Sequence, residues 1–202
     1  MSYKLVFIDD NMREGLENPF VRAIGKMQED AELHVFQDPQ QGLQYVFDNL
    51  NSKMLVFLDY KFDGYSMQGI NVLKEIRKRT SLLSIVMMSA NSVIQFAVAD
   101  IIEMINEDYI CFFDRNNGTA NDASKLIDKI QHLWSVRFDC ILEQWLVRHP
   151  EDNNKVAYSE LEGKTYTWED ILRELRLQTP VGKAFEGQLN EFYIYNLNRA
   201  KK

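Results

Sequence analysis

Residues 54–60 read Met54-Leu55-Val56-Phe57-Leu58-Asp59-Tyr60. Five apolar residues in succession, too short a run for a helix and closed by an aspartate, predict a strand covered on both faces in the middle of a parallel sheet. Leu5-Val6-Phe7-Ile8-Asp9-Asp10 has the same form. Outward from these two, apolar runs at residues 4–8, 32–36, 54–58, 83–88 and 109–113 alternate with amphipathic stretches, the pattern of βα units around a parallel sheet. Right-handed crossovers between five such units predict an α/β, doubly wound, flavodoxin-like sheet of order 2-1-3-4-5, with its binding edge at the carboxyl ends of the strands.

Helix starts are legible between the strands. Asn18 precedes Pro19, Asp38 precedes Pro39, and Asn91 offers a third cap. Ile70, Leu73, Lys74, Ile76 and Arg77 outline the crossover after the third strand, and the run Arg77-Lys78-Arg79 at its end reads as a solvated, dipole-complementing face. Residues 121–149 contain no Gly or Pro and carry apolar residues at helical spacing, which predicts one long helix ended by Pro150. Residues 151–155 read as a linker into a small helical segment, in which Thr167 and Asp170 form a capping box and Thr179-Pro180 opens a last helix. The domains expected are 1–133 and a helical extension and output or interaction segment at 134–202.

Composition narrows the function classes. The 202 residues are 46% hydrophobic and 26% charged, so the chain can bury a core and is not disordered throughout. No apolar run approaches the roughly 18 residues of a membrane span, and the opening MSYKLVFIDDN turns acidic too soon for a secretory signal, so a cytoplasmic location is expected. Cys111 and Cys140 lack metal or disulfide spacing. The net charge is −7, and residues 141–202 carry 9 Lys/Arg against 10 Asp/Glu, which is no basic footprint for a nucleic acid. His34, His132 and His149 share no face and are read as structural.

Strand order 2-1-3-4-5 makes the first and third strands neighbours, so Asp9, Asp10 and Asp59 converge at one sheet edge. Carboxylates so grouped repel one another, and a hard divalent cation with oxygen ligands relieves the repulsion. The cluster is a candidate Mg²⁺ site. Ser89 and Arg115 end the fourth and fifth strands, a hydroxyl and a fixed cation suited to phosphoryl oxygens.

In this order FIDDN, LVFLDY, IVMMSAN and FFDRNN resemble the receiver domain of bacterial response regulators, over residues 1–133. The resemblance implies a phosphoacceptor rather than an enzyme, one that assists its own phosphorylation and dephosphorylation. It implies that Asp59 accepts a phosphoryl group from a sensor histidine kinase or phosphotransfer protein. Mg²⁺ would be held by Asp10 directly, by Asp9 through water, by Asp59, and by the Lys61 backbone carbonyl. Ser89 and Arg115 would contact the phosphoryl group, and Phe112 would hold the aromatic position that follows Ser89 in the switch.

The sequence departs from that family in three places. Arg115 stands where the family has lysine. The loop after Asp59, YKFDGYSMQG, is longer than usual before Gly69, and Asp63 in it is a secondary candidate for the metal. The segment from Asp10 to Asn18 is extended. Arg115 keeps open a pseudo-receiver scaffold that acts without phosphorylation, and Arg115 pairing with Asp59 is the structural reading of the same residue. The two final helices keep open a DNA-binding transcription regulator, against which the acids on the last helix argue. A downstream protein partner is therefore expected for the C-terminal segment. Phe138, Ile141, Trp145 and Leu146 need covering, by Ile171, Leu172, Leu175, Phe185, Leu189 and Phe192 of the tail or, alternatively, by a homodimer partner.

Overall fold

The computed structural model describes residues 2–90, 96–160 and 163–200. The chain forms two compact units, Met1–Leu133 and Trp134–Lys202. The first contains β1 (Tyr3–Ile8), α1 (Pro19–Met27), β2 (Ala31–Phe36), α2 (Pro39–Asp48), β3 (Met54–Asp59), α3 (Gly69–Arg77), β4 (Ser84–Ser89), α4 (Val98–Asn106), β5 (Ile110–Asp114) and α5 (Ala120–Trp134, its last residue in the second unit). All five strands are parallel and lie in the order β2-β1-β3-β4-β5, the doubly wound arrangement expected.

Burial follows the strand sequences. Every residue of β3 and of β4 is buried, as the unbroken apolar runs require, whereas β2 at the edge is mostly half-buried. Asn18 Oδ1 accepts hydrogen bonds from the Phe20 and Val21 N–H groups at 3.0 and 3.5 Å, and Asp38 Oδ1 from Gln40 and Gln41 at 2.7 and 3.3 Å. Pro19 and Pro39 take the first helical positions, where no N–H is needed. The third expected cap, Asn91, lies outside the described residues; α4 is described from Val98, after Ala97.

The basic run after α3 is not a uniformly solvated face. The Arg77 side chain is only 5% exposed, donates to the Leu83 and Asp108 carbonyls at 3.1 and 2.8 Å, and pairs with Glu107 at 3.3 Å. It ties the end of α3 to the segments entering β4 and β5. Lys78 and Arg79 are exposed, Lys78 paired with Glu75 at 2.6 Å and Arg79 lying over the Phe47 ring at 3.7 Å.

The long helix expected over 121–149 is broken. α5 ends at Trp134, and α6 (Phe138–Arg148) starts after an extended Arg137. Arg137 and Asp139 form a two-pronged ion pair at 3.0 Å across two residues, a spacing that puts side chains on different sides of a continuous helix. Asp139 is buried and also receives Arg176 at 3.3 Å, so the break brings one buried carboxylate within reach of two guanidinium groups. Burial opposes the ionised form, yet the two arginines hold Asp139 below the usual carboxylate range.

The second unit is not purely helical. After α6 comes an antiparallel hairpin of β6 (Val156–Ser159) and β7 (Thr165–Thr167), then α7 (Trp168–Arg176) and α8 (Pro180–Ala200). Thr167 and Asp170 form the expected capping box, and the Thr179 hydroxyl accepts from Gly182 N–H at 3.2 Å. Gly182 is required by packing, because a Cβ there would stand 2.3 Å from the Glu174 carbonyl. Leu142, Leu146, Tyr166, Ile171, Leu175 and Phe185 form the core, with Phe138, Leu172 and Leu189 packed against it. The tail thus covers Leu146 and Phe138 as expected, but Ile141, Trp145 and Phe192 remain exposed.

All three tryptophans lie in this second unit, so their fluorescence reports its unfolding. Arg176 also pairs with Glu143 at 3.0 Å, so Arg176→Ala leaves both Asp139 and Glu143 short of a partner and should lower the unit's stability by about 2–4 kcal/mol in urea unfolding followed by that fluorescence. An unchanged midpoint would show the network to be dispensable.

Candidate functional site

The parallel register fixes the site. Ile8 pairs with Leu58 and Asp59 with Met88, so Asp9, Asp59 and Ser89 leave three adjacent central strands at one edge. One oxygen each from Asp9, Asp10 and Asp59 lies within 4.8 Å of the others. Asp9 is fully buried and Asp59 is 5% exposed. Asp63 is outside this group: its carboxylate pairs with Lys61 Nζ at 3.1 Å, while its N–H donates to Asp10 Oδ2 at 3.0 Å.

Arg115 reaches the cluster from the end of β5. Its guanidinium pairs with Asp9, not with Asp59 as the structural reading of the sequence has it. Asp9 is the more deeply buried of the two, so it has the greater need of a counter-charge. The Arg115 N–H donates to the Ser89 carbonyl at 2.9 Å, which keeps these two residues adjacent. Ser89 is buried at the end of β4.

Burial pushes the Asp9 carboxyl up, against the pull of Arg115. For Asp59 burial and then the charge of Asp9 act together, only partly offset by Arg115, and its pKa is pushed up to about 7. A carboxylate with such a value is short of positive charge.

The long loop after Asp59 is held by one side chain the sequence did not single out. Gln68 Oε1 accepts from Phe62 N–H at 2.9 Å, and its Nε2 donates to the Phe62 and Tyr65 carbonyls at 3.0 and 2.8 Å. Phe62 is buried beneath the loop. Gly69 follows because a Cβ at that position would fall 2.0 Å from the Asp59 carbonyl oxygen. Nothing local in the sequence signals Gln68, since its partners depend on the folded loop.

An aromatic group flanks the cluster. Tyr60 stacks on Phe96 with centroids 3.8 Å apart, and Phe96 meets Phe112 edge-on at 5.7 Å. The Tyr60 hydroxyl donates to Asp100 Oδ2 on α4 at 2.7 Å. Phe112, the expected switch residue, is thus in contact through Phe96 with the residue following Asp59. The Tyr60–Asp100 bond was missed because forty positions separate the two and Asp100 belongs to no motif.

No family model matches this sequence, and no curated protein matches it. Receiver domains of response regulators recur among the similar solved structures. A response regulator receiver domain protein from Clostridium thermocellum is 22% identical, with 63% of this chain and 92% of that chain aligned at a TM-score of 0.49. The receiver domain of NtrX from Brucella abortus is 25% identical over 62% of this chain and 94% of its own, at 0.45. A CheY-like receiver domain protein from Methanospirillum hungatei is 13% identical over 64% and 93%, at 0.47.

The raised pKa of Asp59 has a definite sign in stability. An unfolded Asp59 ionises near 3.8 and the folded one near 7, so between these values the folded state holds more protons and loses stability as pH rises. In chelator-treated protein, unfolding free energy should therefore fall from pH 4 to pH 7 on account of this group. Asp59→Asn should remove much of the slope and raise stability at pH 8 by on the order of 2–4 kcal/mol, measured by urea unfolding at each pH. A slope unaltered by the substitution would contradict the electrostatic account.

Proposed function

We propose that this protein is a phosphoacceptor response regulator of two-component signalling, in which Asp59 receives a phosphoryl group from a sensor histidine kinase or phosphotransfer protein. The observation that carries the reading is the convergence of Asp9, Asp10 and Asp59 within 4.8 Å at the strand ends, with Arg115 and Ser89 beside them. An all-oxygen donor set with too much negative charge fits a hard divalent cation. Asp9, Asp10, Asp59 and the Lys61 backbone carbonyl would hold Mg²⁺. When bound, Mg²⁺ supplies positive charge opposite the oxygens of the transferring phosphoryl group.

The chain's own residues do the rest. A carboxylate oxygen of Asp59 forms a bond to phosphorus as the donor's P–N bond breaks, and the electron pair of that bond returns to the donor imidazole. Arg115 and Ser89 orient and neutralise the phosphoryl oxygens, the service that preorganised donors perform at a developing anion. Arg115 is planar and always charged, so it serves two oxygens at once where a lysine serves as a point charge. Movement of Ser89 towards the acyl phosphate is followed by Phe112 and, through Phe96, felt at Tyr60 and α4. The second unit then carries the signal to a protein partner. DNA is the poorer partner, because α8 carries two acids, Glu186 and Glu191, against two bases, Lys183 and Arg199.

The Arg115–Asp9 pair favours a second reading, a pseudo-receiver scaffold in which the guanidinium permanently replaces the cation. One experiment separates the two. Incubation of the full chain with a small phosphodonor and Mg²⁺ should add one phosphoryl group by intact mass, and chelation or Asp59→Asn should abolish it. Arg115→Lys should retain modification while Arg115→Ala slows it at least tenfold. Mass unchanged under all conditions would establish the scaffold reading.

The proposed ligand set also ranks its members. Asp10→Ala should weaken Mg²⁺ binding more than Asp9→Ala, because a direct ligand outweighs one acting through water. Isothermal titration with Mg²⁺ alone measures this, and the reverse order would reassign the direct ligand.

A further inference from the structure

The loop after Asp59 has two successive peptide groups held by side chains. The first joins Lys61 to Phe62, and its N–H donates to Gln68 Oε1 at 2.9 Å. The second joins Phe62 to Asp63; its C=O accepts from Gln68 Nε2 at 3.0 Å, and its N–H donates to Asp10 Oδ2 at 3.0 Å. A trans peptide is planar, with its C=O opposed to its N–H, and among the described residues no peptide bond is cis. Gln68 holds the N–H side of the Lys61–Phe62 group, so it turns the Lys61 carbonyl the other way. The Tyr65 carbonyl also accepts from Nε2, at 2.8 Å, so exchanging the two ends of the amide would set oxygen against two oxygens.

Gln68 is itself fixed by the site edge. Its N–H donates to Asn71 Oδ1 at 3.0 Å in the first turn of α3. The next residue, Gly69, lies against the Asp59 carbonyl and donates its N–H to the Tyr60 carbonyl at 3.1 Å. Phe62, between the two clamped peptide groups, is 1% exposed and anchors them to the core. The Lys61 side chain is 62% exposed, so what the fold fixes at this position is the backbone.

We infer that Gln68 is the positioning residue that fixes the Lys61 carbonyl as a metal ligand, and with it a preference for Mg²⁺ over larger divalent cations. The inference rests on the proposed set of Asp9, Asp10, Asp59 and the Lys61 carbonyl. Three carboxylates attract divalent cations by charge, and charge does not tell one divalent ion from another. Size is told apart by a ligand that cannot follow the ion. Mg²⁺ demands near-octahedral oxygens at about 2.0–2.1 Å, whereas Ca²⁺ accepts irregular geometry at about 2.3–2.6 Å. A carboxylate can rotate to suit either ion. A carbonyl whose peptide group is clamped at its N–H, and whose neighbour is clamped at both ends, cannot.

Isothermal titration of the full chain with Mg²⁺ alone and with Ca²⁺ alone tests this. Gln68→Met keeps the length of the side chain without its polar contacts, and Gln68→Asn keeps the amide but is too short to span the loop. Each should weaken Mg²⁺ binding about tenfold, the scale for losing a group that orients a metal ligand, and Ca²⁺ binding less than about threefold. A merely structural role would weaken both ions alike and leave their ratio unchanged. In metal-free protein, amide exchange followed by NMR should show the Phe62 N–H losing protection in Gln68→Met while the amides of β1 and β3 exchange as in the parent. Mg²⁺ binding that Asp10→Ala weakens and Gln68→Met leaves intact overturns the inference alone, as do equal losses for the two ions. A parent that binds no Mg²⁺ overturns the proposed metal set and this inference together.

Discussion

Three carboxylates within 5 Å of one another at a partly buried edge repel, and the repulsion is met by counter-charge or by holding a proton; the first unit is organised around that constraint. The parallel pairing of β1 with β3 forces Asp9 and Asp59 together, because both follow apolar strands of matched register. Arg115, from three strands away, answers the deepest of them, Asp9. What is left over is recorded in Asp59, whose carboxyl is pushed to about 7 by burial and by the uncompensated charge of Asp9. A site that keeps its central acid near neutrality has room for more positive charge than one guanidinium provides.

The surrounding loops serve the same edge. Gly69 lets α3 begin almost in contact with the Asp59 carbonyl, and Gln68 fixes the preceding loop through both polar groups of Phe62. Asp63 stays out of the cluster with its carboxylate on Lys61, so the longer loop does not add a fourth acid. The Asp63 N–H nonetheless donates to Asp10, which orients one member of the cluster from the loop. Length in this loop therefore buttresses the acids instead of enlarging their number.

How much of this could be read from the chain depended on how local the signal was. The five strands and their order followed from short apolar runs, and Asn18-Pro19, Asp38-Pro39, Thr167 and Thr179-Pro180 marked helix starts because capping is settled within four residues. The α5–α6 break was invisible, since it depends on Asp139 finding Arg176, 37 positions away, and on Arg137 turning back to it. The hairpin of β6 and β7 was passed over, its residues counted with the helical segment after the 151–155 linker, although Val156, Tyr158, Thr165 and Tyr166 are good strand formers and Gly163 takes the positive φ of a turn. In the site, the identities of the acids, Ser89 and Arg115 were legible from strand ends. The Arg115 partner, the Gln68 clamp and the Tyr60–Asp100 bond were not, because each is a choice among several reachable groups made only in the folded edge.

That choice of partner bears on how the proposed switch works. Arg115 spends its guanidinium on Asp9, whereas the proposed chemistry needs it at the phosphoryl oxygens on Asp59. The two duties compete, and the balance between them is set by how much other positive charge Asp9 has. Its carboxyl is already pushed up despite Arg115, so the ion pair leaves Asp9 incompletely satisfied. A cation shared by Asp9, Asp10 and Asp59 would lower the need for Arg115 at Asp9 and free it to turn towards Asp59. In the proposed chemistry, metal binding and phosphoryl binding would then be coupled through one side chain, and by linkage each would strengthen the other. A lysine at that position would make the same exchange with a single ammonium. Arg115, with five donors in a fixed fork, can hold Asp9 with one edge while turning the other to the phosphoryl group, so the exchange need not be complete.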